Sequence, residues 1–161
     1  MSKKVLTNTE AAWLAGFIDG EGSIQIRWQK SKRDTHMTSS VASISVSQAE
    51  PRTEILYWLQ KKFGGAVSSH GTNTRNPKHN KAFRWLVTGN TAVEVAKLIQ
   101  PYLRLKARHV DILLEHQKTK LPSHVGGRKG LARNEVRITD EIIDLRTKHI
   151  EEIKLLNKRG K

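Results

Sequence analysis

Leu14-Ala15-Gly16-Phe17-Ile18-Asp19-Gly20-Glu21-Gly22 runs an apolar helical stretch straight into two glycines that bracket a carboxylate. Thr7 with Glu10 three residues later makes a capping box, so the spacing predicts a helix from Thr7 to about Asp19. One stripe of this helix carries Ala11, Ala12, Ala15, Gly16 and Asp19; the other carries Trp13, Leu14, Phe17 and Ile18. A helix that is apolar all round is covered all round. The bulky stripe is expected to face a core. The small stripe, Ala11, Ala12, Ala15, Gly16 and Asp19, is expected to meet a second backbone.

Two strand patterns follow. Ser23 to Gln29 and Ala42 to Ser47 alternate apolar and polar residues, the period of a half-buried strand. The polar, basic stretch Lys30 to Ser40 between them reads as a connection. Pro51 is expected to start a second helix with Ile55, Leu56, Leu59 and Phe63 on one face, closed by Gly64-Gly65. A weaker strand pair, Ala66 to His70 and Ala82 to Thr88, flanks the basic loop Gly71 to Lys81. Helices are expected from Thr91 to Ile99, then over Leu103, Val110, Leu113 and Leu114 to about Lys120. The basic, Gly-rich stretch 121–134 reads as a loop that either adds backbone contacts or links to the last helix. That helix, about 139–157, carries Ile142, Leu145, Ile153 and Leu156 on its apolar side, interrupted by His149. The order implies one α+β domain over 1–161, its core about 7–118, with an antiparallel sheet covered on one face.

Lys and Arg number 29 against 15 acids, a net charge of +14 in 161 residues. That balance points to a polyanion, nucleic acid first. No apolar run approaches the ~20 residues of a membrane span, so no membrane partner is expected. There is no cysteine, which leaves oxygen and imidazole as metal donors. An intracellular location (cytoplasmic, nucleoid-associated or organellar) is expected. The uncovered sheet face would present Ser23, Gln25, Arg27, Gln29, Ser43, Ser45, Ser47, Ser68, His70 and Arg84, with Lys30, Lys32, Arg33, Arg75, Lys78 and Lys81 at the hairpin tips. Such a face is either merely solvated or reads a DNA groove. Arg and Gln pair bidentately with guanine and adenine, and basic tips suit phosphates.

Asp19 and Glu21 sit where a helix dipole disfavours anions, which argues for a nearby cation. Alternatively Asp19 caps a turn and Glu21 merely flanks a hairpin. If the helix packs on its own copy about a two-fold axis, the two Glu21 carboxylates and the helix-end carbonyls converge, a donor set suited to Mg²⁺. The histidines show no close ligand pair; they read as surface or phosphate-contacting groups.

The stretch Leu14 to Gly22 resembles the LAGLIDADG motif, and residues 7–118 resemble single-motif LAGLIDADG homing endonucleases. Gln48 at the end of the second strand and Pro101-Tyr102-Leu103-Arg104-Leu105-Lys106 before the fourth helix fit the same pattern. The resemblance implies the αββαββα homing-endonuclease fold: a saddle-shaped antiparallel sheet with helices on one face, plus C-terminal helices. It implies a homodimer that recognises a long, pseudo-palindromic double-stranded DNA site and hydrolyses both strands, leaving short 3′ overhangs. Glu21, a glutamate where the motif's name has aspartate, and the Gly20 carbonyl would hold the divalent metal. That metal would be Mg²⁺, with Mn²⁺ an alternative and Ca²⁺ a non-cleaving substitute. Gln48 would order water near the scissile phosphate; Lys106 and Arg52 would act as basic groups at the cleavage centre; Asp19 would be structural. The alternatives on this fold are an intron maturase that binds RNA and a non-cleaving DNA-binding regulator.

Overall fold

The computed structural model describes residues 7–31, 34–69, 81–120 and 138–159. Their order is α1 (Asn8–Glu21), β1 (Gly22–Ser31), β2 (Asp34–Ala49), α2 (Glu54–Phe63), β3 (Ala66–Ser69), β4 (Ala82–Thr88) and α3 (Gly89–Ile99). A 3-10 turn (Gln100–Tyr102), α4 (Ala107–Lys118) and α5 (Asp140–Arg159) complete it. The strands form one antiparallel sheet of four in the order β1-β2-β4-β3. Ile24, Ile26, Ile44, Val46, Trp85 and Val87 point from one face into a core shared with the helices. The αββαββα plan with C-terminal helices is present.

The capping box forms: Glu10 N donates to Thr7 Oγ1 at 3.2 Å, and Thr7 N donates to Glu10 Oε2 at 3.0 Å. The division of α1 into stripes differs from expectation. Leu14 and Ile18 enter the core, but Ala11 and Ala15 go with them and are buried within the chain. Trp13 turns outward, stacking on Phe17 and meeting Trp58 of α2 edge-on at 5.6 Å. Positions 11, 14, 15 and 18 form one stripe at helical spacing, whereas 12, 16 and 20 form another. Small residues at 11 and 15 hide that boundary. Gly22 is required by close approach: a Cβ there would lie 2.7 Å from the Ile18 carbonyl oxygen.

Strands β1 and β2 run well into the stretch expected to be a connection, pairing through Gln29↔Ser39 and again at Ser31↔Asp34. Ser40 occupies a core-facing position in β2, buried, with its Oγ 2.7 Å from His116 Nε2. A polar residue on the inner face erases the alternation that reveals a strand. Helix α2 begins at Glu54 rather than Pro51, after a turn in which Arg52 N donates to Ala49 O at 3.0 Å. It ends where expected, at Gly64 and Gly65, both with positive φ. Helix α3 starts at Gly89, ahead of Thr91. Leu103 precedes α4 and is buried from an extended connection.

Helix α5 is rotated from the expected apolar stripe. Arg146, His149, Ile150 and Ile153 are buried, while Leu145 is 43% exposed. Arg146 donates from Nη2 to Thr119 O at 2.6 Å and from Nε to Thr119 Oγ1 at 3.0 Å, while Asn157 Nδ2 donates to Ile24 O at 3.1 Å. These polar contacts seat α5 on the end of α4 and on β1. The surface role expected for histidines is corrected for three of them: His109, His116 and His149 are buried. Their imidazoles fill gaps between α4, α5 and β2, the His116 and His149 rings meeting edge-on at 5.7 Å. Among the described residues no helix is long and apolar enough to cross a membrane.

Burial, reinforced by the charges of His149, Lys120 and Arg146, pushes His116 down to about 4 from 6.5. Folded His116 is therefore neutral where the unfolded chain binds a proton. Its contribution is complete above about pH 6.5 and is lost as pH falls toward 4, by up to about 1.4 kcal/mol per pH unit. Burial lowers His149 as well, against the raising effect of Glu115 and Glu152, so its contribution has the same sign. Denaturant titrations across this range should show stability falling with acidification, and a shallower fall in His116→Gln. Equal slopes in the two proteins would refute this account.

Candidate active site

The carboxyl end of α1 carries two acids whose surroundings differ. Asp19 Oδ2 accepts from the backbone N–H of Arg104 at 2.7 Å and of Leu105 at 3.2 Å, and Oδ1 accepts from that of Lys106 at 2.9 Å. In return the Lys106 ammonium donates to the Asp19 carbonyl oxygen. Burial works to raise the Asp19 pKa, but these N–H groups and the Lys106 charge outweigh it and hold the carboxyl below its ordinary value. The cation that the helix end calls for is thus Lys106, from the same chain.

Glu21 stays exposed at the end of α1. Lys106 is half-buried, and burial lowers its pKa against the raising charges of Asp19 and Glu21. Glu21, Gln48 and Arg52 line one open cavity of about 1030 Å³, whose apolar wall is Trp13, Phe17, Ile55 and Trp58. Gln48 pairs with Phe83, one pair before the end of the β2–β4 ladder, in step with core-facing Ile44 and Val46. That parity aims it at the cavity, away from the open sheet face. Arg52 reaches the same cavity from the turn before α2. Three of the four residues expected at the cleavage centre therefore line one cavity, and the Lys106 ammonium is bonded to the Asp19 carbonyl, two residues before Glu21.

The Glu21 carboxylate and the carbonyl of Gly20, in the last turn of α1, are hard oxygen donors of the kind Mg²⁺ takes. Among the described residues no three His, Asp or Glu side chains cluster closely enough to hold an ion. A full shell would draw on water, a phosphate or another chain. On the outward side of α1, a Cβ added at Gly16 or Gly20 would meet nothing within 4 Å. Of the stripe assigned to a helix–helix contact, Gly16 is exposed, Ala12 and Asp19 are half-buried, and Ala11 and Ala15 are buried within the chain. Gly20 extends the outward stripe by one turn.

The register puts Ser23↔Ser45, Gln25↔Ser43, Ser47↔Arg84 and Ser68↔Arg84 in facing pairs. With Arg27 and Gln29 these residues share the face opposite the core. Gln25, Arg27, Gln29 and Ser68 are exposed; Ser43 is 7% exposed and lies beneath its neighbours. Ser39, Val41, Leu86 and Thr88 join this face by the same parity. Ser39 and Val41 fall outside the legible alternation because the inward positions beside them are Ser40 and Ala42. None of the positions placed on this face within 22–29, 39–48, 66–69 and 82–88 is Asp or Glu. The side chain of Lys30, and Lys32, Arg33, His70, Arg75 and Lys78, lie outside the described residues.

A LAGLIDADG endonuclease family model matches residues 14–117. Among solved structures, the homing endonuclease I-CvuI in complex with its target in the presence of calcium matches with a TM-score of 0.70 and 22% identity, over 92% of this chain and 82% of that one. The homing endonuclease I-TnaI matches with a TM-score of 0.63 and 15% identity over 97% and 99% of the two chains. The archaeal intron-encoded homing endonuclease I-Vdi141I, complexed with DNA, matches with a TM-score of 0.57 and 15% identity over 92% and 98%. No curated protein sequence matches significantly.

Proposed function

The chain belongs to the LAGLIDADG endonuclease family, and from that premise we propose that it is a site-specific endonuclease cutting both strands of a long, nearly palindromic DNA site as a homodimer. The observation that carries this reading is the convergence of Glu21, Gln48 and Arg52 on one cavity with Lys106 beside them. A protein that only binds nucleic acid has no use for an exposed carboxylate among these basic and amide groups.

Hydrolysis forms a bond from water to the scissile phosphorus as the bond to the leaving oxygen breaks, and negative charge builds on the phosphate. The Gln48 amide, at the rigid end of β2, hydrogen-bonds the water and orients it. The Lys106 ammonium and Arg52 guanidinium lie where they offset the growing charge, an electrostatic contribution realised chiefly in the transition state. Glu21 and the Gly20 carbonyl would hold Mg²⁺, which when bound polarises the phosphate and favours hydroxide over water. Mn²⁺ would serve similarly, and Ca²⁺ would support binding without cleavage.

One chain carries one such set of residues, and a duplex has two strands. The bare stripe Ala12, Gly16 and Gly20 lets a second α1 approach along its backbone and brings two Glu21 side chains toward one axis. Two-fold protein symmetry then selects a target with matching symmetry. Each sheet would cover a half-site, Gln25, Arg27 and Gln29 addressing base edges in the major groove. The charge of +14 drives the phosphate contacts.

Incubation with Mg²⁺ and a plasmid carrying the sequence that flanks the gene should linearise the plasmid. Chelator should abolish cutting, and Glu21→Gln should slow it by about 10²–10³-fold with DNA affinity in Ca²⁺ retained. Tight, selective binding without cutting across divalent metals would rule the nuclease out in favour of a regulator, or of a maturase if intron RNA binds instead. Gly16→Leu should give a monomer by sedimentation; an unchanged dimer would sink the helix-pairing claim. Arg27→Ala should relax selectivity at one symmetric pair of bases, at a cost of roughly 1–3 kcal/mol. Equal weakening on every DNA would mark Arg27 as a phosphate contact.

A further inference from the structure

We propose that Asp19 is a positioning residue for the cleavage reaction: its carboxylate clamps the connection 104–106 and so holds the Lys106 ammonium at the end of α1, beside Glu21. The inference rests on the nuclease reading and assigns a task to an acid that holds neither metal nor substrate. Three consecutive backbone N–H groups, of Arg104, Leu105 and Lys106, converge on this one carboxylate. Successive amides arranged in this way form a concavity suited to an anion. Lys106 is also the N-cap residue of α4 and receives no capping bond from its own side chain. The Asp19 carboxylate therefore lies at the positive end of α4, although the negative end of α1 carries it. An acid unfavourable in its own helix is favourable in the next.

Residues 19 and 106 are joined twice, Lys106 donating both times, once from its backbone and once from its side chain. The Lys106 N–H donates to the Asp19 carboxylate, and the Lys106 ammonium donates to the Asp19 carbonyl. The first bond locates the backbone of Lys106; the second locates the tip of its side chain. A lysine has several free torsions, and on an unanchored connection its ammonium would move into water. Buried Leu103 anchors the connection on its other side. Glu21 follows Asp19 by two residues on the same helix end, so a displacement of the 104–106 connection moves an ammonium bonded two residues before Glu21. Gln48 and Arg52 are placed by β2 and by the turn before α2, elements that include neither residue 19 nor residues 104–106.

The test uses the full chain with Asp19→Ala and Asp19→Asn, the latter keeping one acceptor oxygen. Amide hydrogen exchange should show protection at 104–106 lost in Asp19→Ala and partly kept in Asp19→Asn. DNA affinity in Ca²⁺ should change by less than about twofold while single-turnover cleavage in Mg²⁺ falls by about 10²-fold in Asp19→Ala, the size expected when a reacting group is displaced by about 1 Å. Asp19→Asn should lie between. In a Lys106→Ala background, adding Asp19→Ala should leave the residual rate unchanged, because the effect passes through Lys106. Should Asp19→Ala fail to fold, Asp19→Asn carries the same three measurements. Additive losses in the double variant, parallel losses of affinity and rate, or full-rate cleavage without Asp19 would each overturn the proposal. A wild-type protein that cuts no DNA instead overturns the nuclease reading, and the exchange data then report separately on the clamp.

Discussion

The pairing of Ile24 with Ile44, and with it the register of β1 on β2, is the constraint from which the two faces of this protein follow. Side chains alternate along a strand, so a slip of β1 by one residue on β2 would turn Gln25 and Arg27 inward and expose Ile24 and Ile26. At roughly 1.5–3 kcal/mol for each large apolar side chain returned to water, the slipped sheet is excluded. The same register places Gln25, Arg27 and Gln29 on the open face at intervals of about 6.5–7 Å. That is close to two base-pair steps of about 3.4 Å each. A requirement of the core thus sets the spacing of the residues proposed to read DNA.

Helix α1 answers a similar double demand along its length. Its inner stripe, Ala11, Leu14, Ala15 and Ile18, is spent on the core of its own chain. Its outer stripe has no side chain at Gly16 or Gly20 to hold a neighbour away. The two acids at its end divide along the same line. Asp19, half-buried, is satisfied by three backbone amides of the 104–106 connection; Glu21 is exposed and lines the open cavity. An acid that would be unfavourable at the end of an isolated helix is offset at position 19 by the partners it meets within the chain.

Much of this was legible from residue order because it rests on local rules. The Thr7–Glu10 capping box, the alternation in β1 and the second half of β2, and the Gly64-Gly65 stop all declare themselves within a few residues. The family resemblance located Glu21, Gln48 and Lys106 on their elements; that Gln48 and Arg52 meet Glu21 across one cavity is a tertiary fact. What stayed hidden shares one cause, polar or small residues on buried surfaces. Ser40 breaks the strand pattern because His116 meets it from α4. Arg146 and His149 disguise the inner face of α5, since Thr119 and the neighbouring imidazole satisfy or surround them. Ala11 and Ala15 look like contact residues for a partner because smallness serves close packing inside a chain as well as between chains.

These buried polar contacts align parts of the fold more than they add to its stability. A hydrophobic pair in place of Ser40 and His116 would pack without choosing one depth of insertion, whereas a hydrogen bond in a low-dielectric interior has one good geometry. That choice matters because of where α4 lies. Its amino end begins at Lys106, tied to Asp19 at the end of α1; ten residues later, about 15 Å along the helix, His116 reaches β2 at Ser40. The hairpin position facing Ser40 is Trp28, between Arg27 and Gln29 on the open side. One short, rigid helix therefore sets the distance between the proposed cleavage centre and the part of the sheet that would read the half-site. An endonuclease that must cut at a fixed offset from the bases it recognises needs that distance to be invariant, and a polar lock at each end of α4 provides it.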